Sequence, residues 1–429
     1  MANEFPGGSP STPHTGAPGG GTASHQPLQI YTGSAYSNPA GFGQPIHTQP
    51  VAPHSWVQPV WTQPVSRTST GAIFGIIGVA VLSLVLLCVL AYFVVFLGPA
   101  ATLVGFLIAL LPLALVLAAI RWIDRWEPEP RLALLFGFLW GAAASIAIAL
   151  LVGLTIEIAA LATTGESTTS FLQAALQAPI VEETAKGIGV LILFFATRKH
   201  FTGPVDGLVY AAIIAAGFAF TENIQYFALA LVEGGVGELS ATFFMRAVLS
   251  PFAHVTFTAL TGLAVGAAAL RNGRGLIGWF SLGLVGAILL HALWNGSLFF
   301  ISSLESYALY YALIQVPIFI ALIVMTILVR RHEIRLTHAR LSEYAAAGWF
   351  VPAEVQMLAS WSGRRQAISW ARTLPGNKAA VMKQFALDAT RLAFARQRII
   401  TGRNDLVHRE TEQELLAAVA SDRQVLLGP

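Results

Sequence analysis

From residue 71 onward the chain alternates long apolar runs with short polar connections, and each run is long enough at about 1.5 Å per residue to cross a hydrocarbon core of about 30 Å. The runs fall at approximately 71–97, 99–120, 132–161, 171–196, 208–232, 243–270, 276–300 and 307–329. They predict an all-α fold, a polytopic membrane helical bundle of about eight spans. Strand alternation is nowhere sustained.

The connections orient the bundle, because Lys and Arg collect on the cytoplasmic side of a membrane. Arg67, the group Arg121, Arg125 and Arg131, the pair Arg198-Lys199, then Arg271 with Arg274 and finally Arg330-Arg331 fall on one side in strict alternation. The opposite connections carry Glu166, Glu233, Glu238 and Glu305, with Arg246 as the exception. Both termini are therefore predicted to be cytoplasmic.

The flanking regions are of different material. Residues 1–70 are rich in Pro, Gly, Ser, Thr and Gln, carry only Glu4 and Arg67 as formal charges, and are predicted to form a disordered tail. Its His14, His25, His47 and His54 are too scattered to frame a metal site, and no signal-peptide pattern opens the chain. After residue 329, Arg and Glu interleave with Leu, Ala and Trp at helical spacing, and Pro352 followed by Glu354 marks a helix start. The domain reading is thus a tail at 1–70, a transmembrane domain at 71–329 and a small helical cytosolic region at 330–429. Composition agrees: 55% of residues are hydrophobic and only 11% charged, with a mean hydropathy of +0.65. A net charge of +3, confined to the connections and tails, gives no reason to expect nucleic acid. Cys88, the single cysteine, excludes a disulfide framework and is expected to pack within the first span.

Candidate chemistry enters where the pattern is violated. The fourth run contains Glu182-Glu183-Thr184-Ala185-Lys186. An ionisable side chain at the bilayer centre costs about 2.5–3.5 kcal/mol on insertion scales, so three in one run mark a site. Glu182 and Lys186 stand i to i+4 and can neutralise one another, which leaves Glu183 without a partner in its own run. Glu222, His254 and His291 interrupt the next three runs. Measured from the outer ends of their spans, Glu183 and His254 lie about 17–18 Å deep and Glu222 and His291 about 14–16 Å deep, so four helices bring acid and imidazole to a similar level. Glu157 and Asp206, near span ends, are expected to reach the interface instead.

The ordered set Glu182-Glu183-x-x-Lys186, Phe218-Ala219-Phe220-Thr221-Glu222-Asn223, Pro251-Phe252-Ala253-His254 and His291-Ala292-Leu293-Trp294-Asn295 resembles the PrsW family of bacterial intramembrane proteases. So does the loop Asp124-Arg125-Trp126-Glu127-Pro128-Glu129-Pro130, which looks like that family's D-R-x-E-P-E-P signature. The resemblance covers roughly residues 121–300. The wider superfamily of CAAX prenyl endopeptidases shares the paired glutamates, but its F-x-x-x-H motif would place histidine where this chain has Glu222, which favours PrsW. The resemblance implies a multi-pass protein of a bacterial inner membrane. It further implies proteolysis of a membrane-anchored protein partner within or beside the bilayer, the best-known member cleaving an anti-sigma factor.

A carboxylate whose basicity is raised by burial is a competent base for water. Glu183, with Glu182 beside it and Lys186 offsetting their charge, is the candidate. His254 and His291 could stabilise an oxyanion, or with Glu222 could hold Zn²⁺ in a His₂Glu-type site. Asn295, one turn beyond His291, could orient the imidazole or donate to the oxyanion. Metal and metal-free glutamate catalysis both remain open at this point. No H-E-x-x-H occurs, since His332-Glu333 is followed by Leu336 where the second histidine would stand, and no G-x-S-x-G elbow lies in the runs. The rival reading is a proton- or ion-coupled secondary transporter, in which the same Glu, Lys and His form a relay. A carrier should show matching broken segments in two related halves, and none is visible.

Overall fold

The computed structural model describes residues 70–198, 201–271, 273–401 and 406–428. The expected N-terminal tail and its four histidines lie outside the described residues. Among the described residues every element is helical. In chain order these are α1 (Thr70–Leu97), α2 (Pro99–Ile123) and α3 (Arg131–Leu139), which runs through a π-helical turn at Trp140–Ser145 into α4 (Ile146–Thr164). A single turn, α5 (Ser170–Leu172), leads into α6 (Ala178–Ala196), followed by α7 (Pro204–Phe243), α8 (Ala253–Leu270) and α9 (Leu276–Ser297). Then come α10 (Leu304–Tyr310), α11 (Val316–Ala346), α12 (Pro352–Leu358), α13 (Trp361–Thr373), α14 (Ala379–Ile400) and α15 (Leu406–Leu427).

Six helical runs among the described residues are long and apolar enough to cross a membrane. The expected fourth run is not one of them, because α6 carries three charges. The run Pro204–Leu270 is a helical hairpin rather than one span. Gly207 near the start of α7 lies against Gly262 in α8, and Gly203 and Pro204 meet Gly266, so the two helices run antiparallel. A Cβ at either Gly207 or Gly262 would collide with the other's carbonyl oxygen, which makes glycine a steric requirement of this seam. Counting the hairpin arms separately and adding α6 gives the eight helices expected from the apolar pattern.

The first arm, α7, is the centre of the bundle. Between residues 205 and 230 almost all its side chains are buried, as expected of a helix apolar all round. It is surrounded by α2, the α3–α4 helix, α6 and α8. Its start is fixed by Pro204 in the first turn and by Asp206. The Asp206 carboxylate accepts from the Thr202 and Gly203 amides and from the Thr202 hydroxyl. Asp206 is therefore a buried cap, 3% exposed, and does not reach the interface as expected. Gly235, at φ 65° and ψ −153°, breaks the far end of α7. The outer faces of α1, α2, α4 and α9 display apolar side chains such as Val95, Leu103, Leu151 and Leu282, the surface a bilayer covers. Cys88 lies on such a face and is exposed, which corrects its expected place in the packing.

At the Arg-rich end, α11 continues beyond the apolar zone into a helical region with a core of its own. Leu341 and Tyr344 of α11 join Val355, Leu358, Met382, Phe385 and Leu392 there. The helix expected at Pro352 begins at that residue.

Candidate functional site

α6 reverses the polarity of a water-soluble amphipathic helix. Glu182, Glu183 and Lys186 share its inner face with Val190 and Leu193, at 8%, 0% and 0% exposure for the three charged residues, while Ile180, Ile188 and Phe195 face outward. A charged face is tolerable inside a membrane only if neighbouring helices pair it. Those neighbours are α7, α8 and α9, and Trp140 in the π-helical turn fixes the helix from the other side by donating its indole N–H to the Ala185 carbonyl at 2.9 Å.

The polar side chains form one connected knot. The Lys186 ammonium lies 2.8 Å from Glu183 Oε1, 3.3 Å from Glu182 Oε2 and 3.2 Å from His254 Nδ1, and 3.8 Å above the Phe218 ring. Glu183 Oε1 is also 3.1 Å from His291 Nδ1, and its Oε2 accepts from the Thr258 hydroxyl at 2.8 Å. Both Glu183 oxygens are therefore engaged. Among the described residues Glu182 keeps one oxygen free of hydrogen bonds.

The neighbours of each imidazole set its tautomer. Lys186 can only donate, so His254 Nδ1 accepts and His254 Nε2 donates to Glu222 Oε2 at 2.8 Å. The Asn295 amide donates to the Ala174 carbonyl at 3.1 Å and to His291 Nε2 at 3.2 Å, which leaves His291 Nδ1 to donate to Glu183. Phe257 stacks on His291 with centroids 4.6 Å apart and fixes the plane of its ring. A polar pocket of about 70 Å³ reaches this knot between α7, α8 and α9, lined by Glu222, His254, His291, Asn295, Tyr226 and Arg246 among others. That is room for more than one water.

All seven residues expected at the site, Glu182, Glu183, Lys186, Glu222, His254, His291 and Asn295, are thus brought together. One grouping differs from expectation. The carboxylate that joins the two histidines as a possible metal-binding set is Glu182, the three ligand atoms lying within 4.8 Å of one another. Glu222, expected in that role, accepts from His254 with the same oxygen that pairs with the Arg246 guanidinium, which also donates to Asn223 Oδ1 at 2.7 Å. Two partners escaped the sequence reading. Arg246 stood out there only as a misplaced base, and Thr258 gave no signal because threonine is ordinary in an apolar helix.

Three comparisons bear on this arrangement. A family model described as "PrsW family intramembrane metalloprotease" matches residues 129–322, which contain every member of the knot. The match to that family thus covers a little under half of the chain. Similar proteins include "Protease PrsW" of Clostridioides difficile (strain 630), 36% identical over 163 residues, covering 37% of this chain and 63% of that protein. "Protease PrsW" of Bacillus subtilis (strain 168) is 33% identical over 144 residues, covering 34% of this chain and 60% of that protein. The chain thus spans less than two thirds of the length of these relatives. No solved structure matches the chain significantly.

The D-R-x-E-P-E-P loop at the edge of the matched residues takes no part in the knot. It is the seat of the C-terminal helical region. Trp126, 2% exposed, lies under the Arg364 guanidinium at 3.4 Å, and Arg364 donates to the Trp126 carbonyl at 3.2 Å and to the Leu358 carbonyl at 2.7 Å. The Trp126 indole donates to the Thr337 hydroxyl at 3.3 Å. Tyr210 donates to Glu129, and the Glu129 amide donates to Asp124 Oδ1 at 3.1 Å. Burial, with Asp206 nearby, pushes Asp124 up to about 7 from 3.8. Burial and the same neighbour hold Glu129 well above its usual range.

Proposed function

We propose that this protein is an intramembrane endopeptidase that hydrolyses a peptide bond of a membrane-anchored protein. The observation that carries the reading is the buried knot of Glu182, Glu183, Lys186, His254 and His291, reached by a polar pocket within the residues that match the PrsW family. The pocket admits water. Glu182, which keeps one oxygen free of hydrogen bonds and brings a carboxylate oxygen within 4.8 Å of both imidazoles, is the base that takes the water's proton, a role sequence reasoning gave to Glu183. Glu183, saturated by Lys186, His291 and Thr258, holds those groups in place. His254 and His291, whose ring N–H groups donate to Glu222 and Glu183 at rest, would turn one of these donors to the carbonyl oxygen as it becomes an oxyanion. Asn295 keeps the His291 ring turned toward Glu183.

The donor set Glu182, His254 and His291, two imidazoles and a carboxylate, suits a divalent ion such as Zn²⁺. An ion held there would supply Lewis acidity to a bound water and to the scissile carbonyl. The basic connections support a cytoplasmic Arg-rich end and cytoplasmic termini in a bacterial inner membrane. The pocket then opens toward the other side, as Arg246 and Tyr226 are on that side of His254, which favours cleavage near the extracytoplasmic boundary. An anti-sigma factor with one span would fit such a site.

The test is cleavage of single-span membrane proteins by the purified protein in liposomes. Wild type should cut. Glu182→Gln should insert normally and lose about 10² to 10⁴ in rate, and a chelator should abolish cutting until Zn²⁺ is restored. Undiminished cleavage by both Glu182→Gln and His291→Ala would sink the reading and return attention to ion transport.

A further inference from the structure

A second cavity, of about 300 Å³, lies between α2, α7, α8 and α11 and is walled by apolar side chains including Val116, Leu208, Phe252, Phe319 and Ile327. Its one hydroxyl, Thr326, is turned back onto the Leu322 carbonyl at 2.8 Å. The cavity runs from Phe252 and Val255, the residues on either side of Ala253-His254, to Trp122 and Ile123 at the Arg-rich end. A helix is about 10 Å across, so this volume would hold only about 4 Å of its length. The cavity cannot seat a substrate's membrane span, whereas it accommodates a run of methylenes.

What stands at its mouth is cationic. The Arg330 guanidinium lies 3.9 Å from the ring of Trp122, which is 47% exposed, and 5.3 Å from the Trp361 ring. Arg125 approaches the same Trp361 ring at 5.6 Å. Two guanidiniums therefore share one indole. The Arg330 Nε atom is buried without a hydrogen-bond partner, and neither arginine has an ion pair or hydrogen bond to its guanidinium among the described residues. Glu333, one turn on, influences Arg330 without closing a salt bridge. Two like charges held together at a membrane boundary, with an orphaned donor, call for an anion.

We infer that this is a binding site for an anionic phospholipid, with the phosphate on Arg330 and Arg125 and one acyl chain in the apolar cavity. Trp122 and Trp361 sit where indoles favour the headgroup level. The chain's end packs on Phe252 and Val255, so an occupied site steadies the start of α8, which carries His254. The inference is independent of the proteolytic reading, since binding is measured without turnover.

The experiment is native mass spectrometry of the purified protein after exchange into micelles doped with phosphatidylglycerol or phosphatidylcholine. Wild type should retain phosphatidylglycerol preferentially. Affinity should fall about fivefold for each guanidinium removed in Arg125→Gln and Arg330→Gln. Arg331→Gln, which removes the neighbouring exposed charge, should leave retention unchanged. Ala119→Trp, which fills the cavity, should lose both lipids. A photoreactive side chain at position 119 should yield lipid adducts. Equal retention of the two lipids by wild type would overturn the inference even if every variant failed to fold. So would full retention in Ala119→Trp, loss in Arg331→Gln, or protein adducts at position 119.

Discussion

Lys186 touches both carboxylates and one imidazole of the knot with a single ammonium, so it neutralises the site and spaces it at once. Removing one partner of a buried ion pair typically costs about 3–5 kcal/mol, because the other charge is left uncompensated. Lys186→Met should therefore lower the thermal midpoint in detergent and the steady-state level in membranes, besides abolishing turnover. A variant of normal midpoint and level would show that the carboxylates do not need this counter-charge. At this scale the sequence was legible wherever a residue type was out of place. Glu182, Glu183, Lys186, Glu222, His254 and His291 each contradict an apolar run. Thr258, Phe218 and Phe257 do not, and only the packing of α6 against α7, α8 and α9 reveals what they hold. The choice of Glu182 over Glu222 as companion of the histidines was equally hidden, since it depends on where Arg246 reaches.

Among the helices, α7 and α8 approach closely through Gly207 and Gly262. Gly207→Leu should force the two helices apart, lower yield and midpoint, and lower activity even more strongly because α8 carries His254. Gly278→Leu, in open space on α9, is the matched control, and equal behaviour of the two would refute the seam's importance. The apolar pattern showed where helices lie and, at Pro352, where one begins. It could not show the π-helical turns, which are set by tertiary fit, but its separate runs at 208–232 and 243–270 already required 204–270 to fold back on itself. The D-R-x-E-P-E-P loop adds a pH dependence. Asp124, pushed up to about 7, and Glu129, held well above its usual range by burial, are faced by Glu127 and Arg121 beside them and by Asp206 and Tyr210 of α7, with Arg364 of α13 acting on Glu127. A carboxyl raised in the fold contributes its stability fully below its unfolded value of about 4 and loses it as pH rises through the folded value. Amides 124–130 should thus be better protected from hydrogen exchange at pH 5 than at pH 8, after correction for intrinsic rates. Equal protection, or the reverse order, would contradict this.

For the whole molecule, the alternating basic connections lead to a topology that reporters can check. Fusions at Glu166 and Glu238 should read extracytoplasmic, and one at Arg274 cytoplasmic. A cytoplasmic reading at either glutamate would invert the proposed side of cleavage. The bundle as a whole was legible because bilayer thickness imposes length and apolarity on every span, whereas the docking of the C-terminal region on Trp126 depends on the third dimension alone. The inward-facing charges of α6 also bear on biosynthesis. As α6 emerges from the ribosome, the helices that will pair Glu182, Glu183 and Lys186 have not yet been made, and each charge opposes partition into lipid by about 2.5–3.5 kcal/mol. α6 should therefore wait at the translocon until α7 to α9 have been synthesised and should enter the bilayer with them. A chain truncated after residue 200 should leave α6 extractable by alkali or accessible to protease, while one truncated after residue 300 should not. α6 would then be among the last of the inner helices to settle, and no partly built chain would present the completed knot to the membrane around it.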